Sequence, residues 1–169
     1  YEVRPLDAER RSAGRCEQLL NECYRFLCEK YELCPEEASR LCYGASYFLR
    51  EYLVPDRRVN LFDIAQEHLR QFAGNWYIVR NMEPNLAELT SILEGVLAAY
   101  RYFQHQGLVS ADRFEAVRRG CADLDYYRRR IESFWAIADD GYRQWDAECP
   151  LNGPKTSQPE EGSDAKPDP

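Results

Sequence analysis

The side chains able to do chemistry fall into three sets, the first being seven cysteines. Cys16 and Cys23 stand two helical turns apart, Cys28, Cys34 and Cys42 follow irregularly, and Cys121 and Cys149 are remote. None forms the close Cys-x-x-Cys pair that builds zinc or iron–sulfur knuckles. An odd number of thiols in a chain that is not small, with no signal-peptide pattern, is expected to consist of reduced, small buried hydrophobes in a cytosolic protein. The second set is two histidines. His68 follows Glu67 and His105 lies between Gln104 and Gln106. Neither has the Glu-x-x-His spacing of helical metal sites, and no nucleophile elbow, phosphate loop or dinucleotide fingerprint is present. The expectation is a non-enzyme without cofactor or metal.

The third set is the arginines, clustered at Arg57-Arg58, Arg118-Arg119 and Arg128-Arg129-Arg130. The last run follows Tyr126-Tyr127, and basic residues interleaved with aromatics are what a phosphate-and-base surface uses. These seven arginines are the candidate nucleic-acid contacts. Asp123, Asp125 and Glu132 flank the last run at spacings that also permit pairing along one helix. The net charge of −7 decides against a large phosphate-binding face. The segment from Pro150 onward, with two lysines against four acids, carries −2 of it, leaving −5 on the body. The body has a single lysine, Lys30, and so relies on the planar, bidentate pairing of arginine.

Elements must position these residues. A chain of 169 residues suffices for one domain, assigned to residues 1–149. "PLNGPKTSQPEEGSDAKPDP", residues 150–169, has one Leu and is expected to be a disordered acidic tail. The start at Tyr1 rather than Met is what a processed or trimmed chain would show, and no apolar run is long enough for a membrane span. Cys16, Leu19, Leu20, Cys23, Tyr24 and Leu27 predict a first helix over about 6–30. Pro35, Glu36 and Glu37 open a second, which ends before Pro55. Leu61, Phe62 and Ile64 then plug the core from a connection, and a third helix spans about 65–80.

Asn85 and Glu88 form a capping box for the central helix, whose stripe runs from Leu89 to Phe103 and stops at Gly107. Ser110 caps the next helical stretch. From Phe114 to Trp145 apolar residues step by three and four, a heptad seam predicting a long final helix that Gly120 and Gly141 weaken. The expected architecture is all-α, a single bundle of about five helices.

"FAGNWYIVRNMEPN", residues 72–85, packs Trp76, Tyr77, Ile78 and Val79 together. No single helical face buries all four. Trp76 continues the stripe of Leu69 and Phe72 into the core, so Ile78 and Val79 become the candidate contact corner. On the final seam, Trp135, Tyr142 and Trp145 are the candidate anchors for a partner or a second copy.

The segment from Ala45 to Val109 resembles the amino-terminal core-binding, SAM-like domain of tyrosine recombinases and phage integrases. The resemblance rests on Phe48, Leu49, Tyr52 and Leu53, on Leu61, Ile64, Leu69, Phe72 and Trp76, and on Leu89, Leu93, Tyr100, Phe103 and Gly107. It implies a helical module that clamps duplex DNA. It does not imply DNA cleavage, because the chain has no room for the family's catalytic domain, and Val109-Ser110-Ala111 stands where Asn-Pro is usual. Charge and composition favour a non-catalytic interaction module with a protein partner or a homodimer. A DNA-binding accessory protein is the alternative.

Overall fold

The computed structural model describes residues 4–57 and 60–149, with side-chain surroundings for residues 14–55 and 60–149. The tail assigned to residues 150–169 lies outside the described residues, as does Arg58. Helices α1 (Arg4–Lys30), α2 (Pro35–Ser46), α3 (Gln66–Gln71), α4 (Tyr77–Arg80), α5 (Leu86–His105), α6 (Ala111–Ala122), α7 (Leu124–Trp135) and α8 (Tyr142–Ala147) are joined by two π-helical segments, π1 (Tyr47–Arg57) and π2 (Phe72–Trp76). The fold is all-α, with no strand among the described residues.

Local chemistry sets several ends where the spacing predicts them. The Asn85 side chain accepts from the Glu88 amide at 2.9 Å and starts α5. Gly107 closes it at φ 72°, in the left-handed region that glycine enters without a Cβ penalty. Ser110 Oγ accepts from the Arg113 amide and starts α6.

Three boundaries differ from expectation. Helical structure runs through Pro55 to Arg57 as π1. A proline ring clashes with the carbonyl four residues back in α geometry, and the wider i→i+5 turn relieves that register. The third helix spans the expected range but widens into π2 across Phe72–Trp76 before α4. The long final helix does not form. Asp123, at ψ 45°, breaks it between α6 and α7, and the positive φ of Asp139 follows the end of α7. The seam residues still turn inward in part, but on three short helices.

The centre is the α2–α5 pair. Gly44 and Gly95 meet there, and a Cβ on Gly44 would stand 2.9 Å from the Ile92 Cα. Around them lie Phe48, Tyr52, Phe72, Tyr100 and Phe103, all fully buried. Phe72 packs edge-on against Phe48 at 4.9 Å between ring centroids and tilted against Tyr52 at 5.2 Å. The connection after π1 is pinned as expected: Ile64 is buried, Phe62 meets Phe103 at 5.5 Å, and Tyr100 Oη donates to the Leu61 carbonyl at 2.6 Å.

Candidate interaction groove

The two π-helical segments lie side by side, and an open groove of about 510 Å³ runs along their outer side. One wall comes from the end of α2 and the start of π1, where Tyr43, Ser46, Tyr47, Arg50 and Glu51 recur at helical spacing. The other comes from Trp76, the last residue of π2, and Arg80, one turn on in α4. Tyr47 and Trp76 face each other edge-to-plane with ring centroids 6.0 Å apart. The Arg80 guanidinium sits 5.3 Å above the Trp76 ring, an exposed cation–π contact worth about 0.5–1 kcal/mol. Asn81 holds this corner by donating to the Tyr77 carbonyl at 2.7 Å and to Tyr47 Oη at 3.4 Å.

Two polar features mark the groove. Several described arginines are paired with acids: Arg70, Arg113, Arg118 and Arg128 each meet a carboxylate within 3.2 Å. Arg40 bridges Glu37 and Glu94 as well. Arg50 and Arg80, like Arg15, Arg25, Arg101, Arg119, Arg129 and Arg143, make no ion pair among the described residues, and both line the groove together with Glu51. In addition, the Trp76 indole N–H is buried and makes no hydrogen bond among the described residues. A buried donor left unpaired costs about 1–3 kcal/mol. Tyr43 stands 70% exposed at the rim, a large ring with little cover.

The residues expected to matter are scattered by the fold. Arg118 is held by Glu115 at 2.7 Å and Arg128 by Asp125 at 2.7 Å, the intrahelical pairing that the spacing allows, while Arg119 and Arg129 are exposed. Asp123 pairs across helices with Arg70 at 3.1 Å. Arg130 does not belong to a surface stripe. It is buried, donating to the Gly74 carbonyl at 2.9 Å and the Trp145 carbonyl at 2.7 Å, with Glu148 at 3.0 Å. Its guanidinium stacks 3.9 Å over the Trp145 ring. Arg57 ends π1 with its side chain outside the described surroundings.

Burial also corrects the contact surface. Ile78 is fully buried, because the widened π2 turn rotates it toward the core, and Val79 alone of that pair is exposed, at 43%. Trp145 is buried beneath Arg130 and its indole N–H reaches Ser133 Oγ at 3.1 Å. Trp135 and Tyr142 are exposed, at 59% and 43%. Trp76 packs toward the core against Phe72 as expected, and its other side lines the groove. Composition held no signal for Tyr43, Arg50 or Glu51, which acquire meaning only when π1 meets π2.

The described cysteines form no disulfide with one another. A hydrogen bond to Cys42, together with burial, pushes the Cys23 thiol up, and the same bond lowers Cys42. Cys42 Sγ lies 3.7 Å from the Leu20 carbonyl. His68 works within the backbone: its Nδ1 accepts from the Ala65 amide at 3.0 Å and starts α3. His105 packs against Phe26 at 4.8 Å. No described group of three or more His, Cys, Asp or Glu side chains is gathered to hold a metal ion, and no described helix is long and apolar enough to cross a membrane.

Comparison of the chain with protein-family models, with curated proteins and with solved structures finds no match in any of the three.

Proposed function

We propose that this chain is a non-catalytic helical module whose work is to bind another protein, in the reducing cytosol that its free thiols suit. The observation that carries this reading is the groove between π1 and π2, where exposed Tyr43, half-buried Tyr47 and Trp76, the cations Arg50 and Arg80 and the carboxylate of Glu51 line one open surface. Aromatic rings and arginines are the residues enriched at the energetic centres of protein interfaces. π-Helical turns cost regular hydrogen bonding and occur often at functional sites, and both of those described here border this groove. Val79 and Met82, within two positions of Arg80 in sequence, add exposed apolar surface. The experiment is site-specific photocrosslinking in the native cell, with benzoylphenylalanine at Tyr43 and, as control, at Arg119. A discrete protein adduct from position 43 alone is expected. Equal adducts at both positions, or none, would overturn the groove as the contact.

A second surface, Trp135 with Tyr142, is where this reading places a second copy of the chain, since both rings are exposed near the α7–α8 turn. The DNA-binding alternative retains exposed Arg119 and Arg129. Phosphate neutralisation drives sequence-independent DNA affinity, and here the acidic body and the pairing of Arg118, Arg128 and Arg130 weigh against it. A duplex shifted at low salt would revive it.

A further inference from the structure

Cys23 and Cys42 lie together where α1 packs against α2. Cys42 Sγ stands 3.7 Å from the Leu20 carbonyl. A helical carbonyl points along the axis toward the carboxyl end, so this contact sets Cys42 against the turn of α1 that follows Leu20. Cys23 is on that turn, and its thiol hydrogen-bonds the Cys42 sulfur. Two thiols in direct contact across a helix pair are the reduced counterpart of a disulfide.

The two differ as an attacking and a resolving thiol must. Cys42 is half-buried and within reach of a small solute, whereas Cys23 is buried behind it. The hydrogen bond from Cys23 lowers the Cys42 thiol below its ordinary value, and the same bond, with burial, keeps Cys23 protonated. The thiolate is the nucleophile, so Cys42 attacks and Cys23 resolves. Cys16 and Cys121 lack this division of roles, since both are buried and burial raises both thiols. Cys28 is the competitor: it is half-buried and hydrogen-bonds Tyr24, a ring that also feels Cys42.

We propose that Cys23 and Cys42 are a redox-active pair that hydrogen peroxide oxidises to a reversible disulfide between α1 and α2. The Cys42 thiolate attacks one peroxide oxygen, the O–O bond breaks, and the departing hydroxide becomes water with the proton that Cys42 released. Cys42 is then a sulfenic acid. The Cys23 sulfur attacks the Cys42 sulfur, the S–S bond forms as the S–O bond breaks, and the hydroxyl leaves with the Cys23 proton as a second water. Two thiols lose two electrons, and one peroxide becomes two waters. A thiol reductant restores the pair through a mixed disulfide. Transient disulfides of this kind are the ones that occur in a reducing compartment. Cys42 directly precedes Tyr43, so the bond fixes to α1 the helix that carries one wall of the groove. The chemistry does not depend on the proposed protein-binding function.

The test treats the full chain with hydrogen peroxide, alkylates the remaining thiols and maps the tryptic peptides without reduction. Trypsin places Cys42 in peptide 41–50, Cys28 in 26–30 and Cys34 in 31–40, while Cys16 and Cys23 share 16–25 and are told apart by fragmentation. Peptides 16–25 and 41–50 are expected to be joined through Cys23 and Cys42 and to separate with dithiothreitol. The Cys23→Ser chain, oxidised in the presence of dimedone, is expected to carry the adduct on Cys42, whose sulfenic acid has lost its resolving thiol. A Cys42 that is still alkylated after peroxide, or that is joined to Cys28, Cys34 or a second chain, overturns the proposal. No binding partner enters these measurements, so crosslinking from Tyr43 tests the protein-binding function separately.

Discussion

Gly44 and Gly95 face each other across the α2–α5 crossing, so close that a Cβ on Gly95 would lie 3.0 Å from the Gly44 Cα and 2.8 Å from the Ala45 amide nitrogen. The nearest atoms are backbone and cannot rotate away. Gly95→Ala should therefore destabilise the fold by about 1–3 kcal/mol through overpacking, despite the gain of nearly 1 kcal/mol that alanine brings to a helix. Gly14→Ala in α1, where a Cβ meets nothing within 4 Å, should stabilise by a few tenths to about 1 kcal/mol. Urea unfolding of the two variants gives opposite signs if the crossing is as described.

Arg130 fastens the carboxyl-terminal part of the body. Its three nitrogens reach Gly74, Trp145 and Glu148, so it joins π2, α7 and α8 at one point. Arg130→Met keeps the stem but loses the charged hydrogen bonds to the Gly74 and Trp145 carbonyls, at about 1.5–3 kcal/mol each. A loss of about 3–5 kcal/mol is expected from these two bonds together. Trp145 fluorescence should shift to the red as α8 detaches. Arg129→Ala, one residue away on the exposed face, should change stability by less than about 0.5 kcal/mol.

That neighbouring pair shows how far the sequence alone reaches. The heptad pattern separates inward from outward positions only while one helix continues, and it placed Arg128, Arg129 and Arg130 together as a basic run. The fold breaks the helix at Asp123 and brings Gly74 and Trp145 to Arg130 alone, a coincidence of segments about 56 residues apart in one case. Local signals fared better. Asn85, Gly107 and Ser110 act within four residues of themselves, and each ends or begins a helix where expected. The groove was illegible for the same reason that Arg130 was: Tyr43 and Trp76 are thirty-three positions apart, and only the widened turns of π1 and π2 bring their walls together. Ile78 went the other way, since a straight helix and a π turn place the same residue on different faces.

Tyrosine ionisation offers a pH test. Burial holds the Tyr102 phenol up at about 12, and it raises Tyr77, Tyr100 and Tyr127 above the usual tyrosine value. Each group has a folded pKa above its unfolded value near 10. The unfolded chain therefore releases these protons first, and the stability they contribute is complete below about pH 10 and lost as pH rises from there through the folded values. Absorbance at 295 nm should show only part of the twelve tyrosines ionising near pH 10, with the remainder appearing in a cooperative step together with loss of helical circular dichroism. A single smooth titration of all twelve with the helix intact would contradict the burial.

Glu22 gives the opposite sign at the acid end. Hydrogen bonds from Tyr102, at 2.9 Å, and from Gln18 hold its carboxyl below the usual range. Its contribution is present above the unfolded carboxylate value and fades as pH falls through the folded one. Tyr102→Phe should raise the Glu22 pKa, as read by carbon NMR of the side-chain carboxyl.

Self-association turns on Trp135 and Tyr142. Both rings are exposed in the single chain, whereas Phe134 and Trp145 beside them are packed together at 5.1 Å, so truncating the exposed pair leaves the local core intact. A tryptophan at the centre of an interface commonly contributes about 2 kcal/mol or more, which weakens association by about thirtyfold. The wild-type chain is expected to sediment as a dimer at tens of micromolar, and the Trp135→Ala/Tyr142→Ser chain as a monomer with an unfolding midpoint close to wild type. A wild-type monomer at that concentration removes the second copy from this surface. It leaves the groove untouched, because Tyr43, Arg50 and Trp76 lie on other elements and their crosslinking partner is read separately.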